Sequence, residues 1–84
     1  MDSFRSRVLG RALNTADRRM TIANLNIRQG PGVGSDTLDG DQSPLPAGTE
    51  VEVLDAYGGW VLVSVERVGK TYQGWVSARY LRDL

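Results

Sequence analysis

The 84-residue chain contains no cysteine and no histidine. Without cysteine it has neither a disulfide framework nor a thiolate metal site, so its stability must come from packing and backbone hydrogen bonds. Without histidine it lacks the commonest general base, the usual partner of a serine or cysteine nucleophile and the commonest zinc ligand. These absences predict a protein that is not an enzyme and that carries no cofactor or metal.

Long apolar runs are also missing. No stretch approaches the roughly 18 apolar residues of a membrane span, and the N-terminal residues lack the apolar stretch of about 7 to 15 residues that a secretory signal requires. We therefore expect neither a membrane span nor a signal peptide in this chain. Localisation stays open, with the cell envelope or the extracellular space expected if the chain belongs to a longer, exported protein.

The ten basic and ten acidic residues cancel, but they are unevenly spread. Residues 1–28 hold six arginines against two aspartates, a surplus of four positive charges that the remainder balances with four negative ones. A mildly acidic body does not attract phosphate backbones, so we expect no nucleic-acid partner. The basic segment is either a linker or a contact for an anionic surface, a neighbouring domain or the acidic body itself.

The apolar pattern divides the chain in two. Phe4, Val8 and Ala12 recur at the four-residue spacing of a helix, whereas from Thr21 the spacing changes to the two-residue alternation of a strand. We therefore predict a basic extension over residues 1–20, helical or flexible, and a folded domain over residues 21–84. The glycine-rich stretch after residue 29 predicts a long loop to about residue 48, with Leu38 or Leu45 in the core.

The remaining segments read as short strands separated by turns. Alternation or continuous apolar character predicts strands over residues 21–28, 50–54, 60–66, 71–76 and 80–81. A turn is expected at residues 57–59, a hairpin turn at residues 68–70, and a single helical turn at residues 77–79. Because closure is how a small sheet protects its edges, we predict a mostly β protein, a small five-stranded barrel.

Several motifs carry a resemblance to a known family. They are Leu25-Asn26-Ile27-Arg28-Gln29-Gly30-Pro31, then Gly48-Thr49 before a Val-x-Val strand, Gly59-Trp60, Gly74-Trp75-Val76-Ser77 and Tyr80-Leu81. In this order they resemble the bacterial Src-homology-3 (SH3) family, over about residues 21–84. The resemblance implies an SH3-like barrel, a module often attached to cell-wall hydrolases that it helps to hold near peptidoglycan. The long loop and residues 1–20 depart from the family pattern.

Aromatic side chains are the best candidates for ligand contact, because small binding barrels use exposed aromatic surfaces to hold peptides. Trp60 starts a strand on the face opposite Val61, and in related SH3 barrels this position and that of Tyr80 border the groove. Trp75 is expected in the core. The predicted ligand-binding residues are Tyr57, Trp60, Tyr80, Tyr72 and Arg79.

Other sites are less well supported. Proline-rich ligands are disfavoured because residues 21–56 contain no aromatic residue and Ser77 stands where a proline is expected. Asp36, Asp39 and Asp41 lack calcium-loop spacing, and the glycine-rich loop lacks the end of a phosphate loop. We predict a monomeric, non-catalytic module that binds peptidoglycan stem or bridge peptides. The alternative is a structural or protein-interaction module without a small ligand.

Overall fold

A computed structural model describes residues 17–84, and the strands in this range form one antiparallel sheet. Its strands are β1 (Arg18–Thr21), β2 (Glu50–Tyr57), β3 (Trp60–Arg67), β4 (Lys70–Ser77) and β5 (Leu81–Asp83), with single 3₁₀ turns at Gly40–Gln42 and Ala78–Tyr80. The order β4-β3-β2-β1-β5 confirms the mostly β, five-stranded, SH3-like prediction. The barrel is not fully closed, since β4 and β5 form the two ends of the sheet. Residues 1–16 of the extension predicted over residues 1–20, helical or flexible, lie outside the described residues.

The first strand begins earlier than expected. Arg18 to Met20 lie in β1 rather than in a helical extension, and β1 ends at Thr21, where the predicted strand was to begin. β1 lies between β2 and β5 and pairs with both, so tertiary contacts set its conformation. Its arginines stay at the surface, where Arg18 bonds Glu50 (3.1 Å) and Arg19 bonds Asp17 (3.1 Å). The bond to Asp17 raises the pKa of Arg19.

Residues 22–48 form no regular strand, although their alternation persists. Leu25 and Ile27 are buried while Asn24 and Asn26 are exposed. The backbone pairs only at isolated bridges, which are Leu25 with Leu45, Arg28 with Thr37 and Arg28 with Trp75. The predicted strand over residues 21–28 is therefore wrong as a regular element, because its partners change from residue to residue.

The core lies on the inner face of β2, β3 and β4. Its buried side chains are Leu25, Ile27, Leu45, Val51, Val61, Val63, Val65 and Val76. Leu45 is fully buried and Leu38 packs against the cluster, which confirms that the long loop supplies a core residue. Within residues 17–84 there is no helix long and apolar enough to cross a membrane.

Trp75 was expected in the core, and the structure places it outside the core cluster. Gly74 and Val76 are buried and Trp75 is half-buried, so strand alternation places its ring on the outer face. The reason is the close approach of Ile27. A Cβ atom on Gly74 would lie 2.9 Å from Ile27 Cδ1 and 3.0 Å from the Arg28 carbonyl oxygen. Only glycine leaves room there, and this fixes which residues of β4 face inward.

The predicted hairpin turn between β3 and β4 is confirmed. Arg67 pairs with Lys70, which leaves Val68 and Gly69 as a two-residue turn. Both have positive φ, 53° and 75°, as this kind of tight turn requires.

At the other end of the sheet, Arg19 of β1 pairs with Asp83 of β5, and the Leu84 N–H donates to the Arg18 carbonyl oxygen (3.3 Å). The two ends of the described chain are therefore neighbours.

Candidate binding groove

An open groove with a volume of about 410 Å³ lies where β3 begins and β4 ends. The sheet side contributes Trp60, Ser77, Arg79 and Tyr80. The irregular segment contributes Asn24, Leu25, Asn26 and Arg28, together with Val33 of the glycine-rich loop. We call this the Trp60 groove.

The sheet places Trp60 beside the turn that carries Arg79 and Tyr80. Trp60 pairs with Ser77 of β4, and the Ala78 N–H donates to the Gly59 carbonyl oxygen (2.9 Å). These bonds hold the 3₁₀ turn Ala78–Tyr80 against the start of β3. The Arg79 guanidinium lies 5.5 Å from the centre of the Tyr80 ring, a cation–π distance. Trp60 is half-buried and Tyr80 is 40% exposed, so both rings are open to a ligand.

Arg28 connects the other side of the groove to the sheet. Its backbone exchanges two hydrogen bonds with Trp75, each 2.8 Å long. Its Nη1 donates to the carbonyl oxygens of Val33 (3.2 Å) and Ser35 (2.9 Å), so the same side chain fixes the glycine-rich loop. Asn24 is oriented by the Ala47 N–H, which donates to its Oδ1 (3.0 Å).

A family model described as the bacterial SH3 domain matches residues 23–82. The chain belongs to the bacterial SH3 domain family. The match includes the whole Trp60 groove, from Asn24 to Tyr80, and confirms the resemblance that the motifs carried. Comparison with curated proteins and with solved structures returns no significant match.

This bacterial SH3 domain brings together three of the five residues predicted to bind ligand, namely Trp60, Arg79 and Tyr80. Tyr57 lies next to them, because it pairs with Trp60 across the β2–β3 turn, and it is 70% exposed, but it does not line the groove.

Tyr72 lies elsewhere. It packs against the core toward the other end of β4, where its hydroxyl donates to the Gln42 carbonyl oxygen (3.3 Å) and accepts from Arg67 Nη1 (3.3 Å).

Sequence reasoning missed the side of the groove that the irregular segment contributes. Asn24, Asn26 and Arg28 were recognised as polar positions in an alternating run, and the last two also as parts of a family motif, but none was assigned to ligand binding. The signal that could have found them is that same alternation, since polar residues between buried ones face away from the core. Ser77 was considered as part of a family motif, as the start of a helical turn and as the residue in place of a proline, but not as a groove residue.

Negative charge gathers on a different surface of the SH3 domain, whereas the charged residues that line the Trp60 groove are Arg28 and Arg79. A polar depression there is lined by Arg18, Glu50, Glu52, Ser64, Glu66 and Thr71. Arg18 and Glu50 form an exposed ion pair in it (3.1 Å). Among residues 17–84 no group of acidic side chains is arranged to hold a metal ion. The two surfaces therefore differ in charge as well as in shape.

Proposed function

We propose that this bacterial SH3 domain is a non-catalytic binding module that holds peptidoglycan stem or bridge peptides in the Trp60 groove. The observation that carries the proposal is the meeting of two accessible aromatic rings, Trp60 and Tyr80, with the polar side chains of Asn24, Asn26 and Arg79 in one groove. Peptides present apolar side chains and amide groups together. Aromatic rings with convergent hydrogen-bonding groups are suited to both.

The chemistry of the groove supports binding without catalysis. Ser77 is the one aliphatic hydroxyl among the lining residues, and the lining contains no carboxylate that could act as its base. The whole sequence contains no histidine or cysteine. An activated serine requires a general base, and the groove lining offers Ser77 no carboxylate, histidine or lysine for that task. The family's frequent attachment to cell-wall hydrolases supports peptidoglycan as the ligand.

The test is a two-dimensional amide NMR titration of the labelled protein with soluble muropeptides, following the indole N–H signals of both tryptophans. We expect saturable shifts at Trp60 and Tyr80. Trp75 serves as an internal control, because it does not line the groove although it lies on the same face of the sheet as Trp60. Trp60→Ala should weaken binding by about tenfold or more, the effect typical of an aromatic anchor.

Two further variants decide where the binding surface ends. Tyr57→Ala should weaken binding only a few-fold if the exposed ring extends the groove, whereas Tyr72→Phe should leave affinity unchanged because Tyr72 lies toward the other end of β4. A loss of affinity in Tyr72→Phe equal to that in Trp60→Ala would move the site away from the groove.

The absence of any shift would favour the alternative, a protein-interaction module. The observation in its favour is the exposed apolar surface of β2, where Leu54 is 42% and Tyr57 is 70% exposed.

A further inference from the structure

The Trp60 groove is a positively charged site on a domain that carries net negative charge. Residues 17–84 contain nine aspartates and glutamates against seven arginines and lysines. The groove lining nevertheless includes two arginines, Arg28 and Arg79, and no carboxylate. Charge separated in this way attracts an anionic group to the groove and repels it from most of the remaining surface.

Arg28 is held in place while part of its guanidinium stays available. Only Nη1 is bonded, to the two carbonyl oxygens of Val33 and Ser35, so Nε and Nη2 have no partner within residues 17–84. Arg28 is half-buried and forms no ion pair there. The guanidinium fork matches the two oxygens of a carboxylate, and charge-assisted bonds of this kind are stronger than neutral ones.

Arg79 is exposed, and it too has no acidic partner in the described part of the domain. Arg18 and Arg19 provide the contrast, because each of them is paired with an acidic residue in or beside the sheet. Asn24 adds to the donors of the groove, since Ala47 occupies its Oδ1 and its amide nitrogen remains as a donor. Arg28, Arg79 and Asn24 therefore each offer the groove hydrogen-bond donors.

We propose that the Trp60 groove selects peptides that carry a free carboxylate, with Arg28 and Arg79 binding the carboxylate while Trp60 and Tyr80 contact the rest of the ligand. This inference rests on the proposed function and narrows it. The ligand is a stem peptide with a free carboxylate. A neutral bridge peptide, or a stem peptide whose carboxylate has become an amide, binds more weakly because it offers the two guanidinium groups no anionic partner.

The experiment compares a soluble muropeptide with the same muropeptide after its carboxylates have been converted to carboxamides. We expect the amide form to bind about tenfold to a hundredfold more weakly, the range for charge-assisted hydrogen bonds. Arg79→Gln should weaken the acid form by a similar factor and leave the amide form nearly unchanged. Arg82→Gln is the matched control, because it removes the same charge from exposed β5, outside the groove.

The outcomes separate the two proposals. Equal affinity for the acid and amide forms overturns the carboxylate inference and leaves the proposed function intact. If neither form binds, peptidoglycan is the wrong ligand, and acetyl-trialanine then decides the carboxylate inference. Shifts of the Arg28 and Arg79 side-chain N–H signals with millimolar acetyl-trialanine acid, and not with its carboxamide, support the inference. The absence of such shifts overturns it as well.

Discussion

Different interactions stabilise two regions of the domain, the hairpins of β2, β3 and β4 and the irregular segment over residues 22–48. All eight residues of β3 pair with consecutive residues of β4. In the irregular segment the pairing falls at isolated points, and side chains supply bonds that a strand ladder would otherwise provide. For example, Ser43 Oγ accepts from the Ile27 N–H (3.1 Å). The hairpins therefore depend on a repeating pattern, and the irregular segment depends on particular residues.

The contact between the two regions should be the most sensitive point. Gly74→Ala introduces a methyl group where β4 meets Ile27 and the Arg28 carbonyl oxygen, so the two regions must move apart. We expect a loss of about 3 kcal/mol in the free energy of unfolding, the upper part of the usual range for overpacking. Urea denaturation followed by circular dichroism measures it.

Gly34→Ala is the control for this variant, because a Cβ at Gly34 would meet no atom within 4 Å. It should change stability by less than about 0.5 kcal/mol, as surface substitutions usually do. If Gly74→Ala were equally mild, the two regions would not be tightly packed at this point.

A smaller effect is expected where a side chain replaces a ladder bond. Thr21 is buried, its Oγ1 donates to the Pro46 carbonyl oxygen (2.8 Å) and it accepts from the Thr49 N–H (2.9 Å). Thr21→Val keeps the shape and removes both bonds, leaving the Thr49 N–H without that acceptor. We expect a loss of about 1 to 2 kcal/mol, measured by the shift of the urea midpoint.

Thr71→Val tests whether the loss at Thr21 comes from its bonds. Thr71 is exposed in β4, and its side chain makes no hydrogen bond within residues 17–84. Its replacement should be almost neutral. Equal losses at both positions would mean that the irregular segment does not depend on this hydroxyl.

The smallest effect should be a gain of stability in the regular region. Val68 is 86% exposed and has a φ of 53°, a conformation that β-branched residues adopt at a cost. Val68→Asn should stabilise the domain by about 1 kcal/mol, because asparagine is favoured at this turn position. Thermal unfolding measures the change. Val68→Thr retains the branched Cβ and should give no gain, so equal gains in both variants would point to hydrophobic exposure instead of backbone strain.

The difference between the regular hairpins and the irregular segment also explains which features could be predicted from sequence. The three long strands were placed to within three residues at each end, because alternation and glycine turns are local signals. β1 was missed because Arg18, Arg19 and Met20 show no alternation and owe their conformation to two neighbouring strands. The orientation of Trp75 was also missed, because the contact between Gly74 and Ile27 involves residues far apart in sequence.

The groove was predictable only on its sheet side. Trp60, Arg79 and Tyr80 follow strand and turn signals that lie close together in the sequence. Arg28 and Asn24 reach the same groove because the Arg28 backbone pairs with Trp75, and no local pattern reports this pairing. The assignment of these residues to ligand binding remains a prediction that the titrations will test.

The pairing of β1 with β5 has a consequence for how the domain can be used as a building block. Facing residues in an antiparallel pair lie about 5 Å apart, so sequences fused to either end leave the sheet through a single exit. A host protein could therefore accept the whole unit within one of its surface loops without stretching that loop. In that arrangement both connections to the host leave from the same end of the β1–β5 pair, where Arg19 faces Asp83, so the orientation of the groove relative to the host is set at this one place.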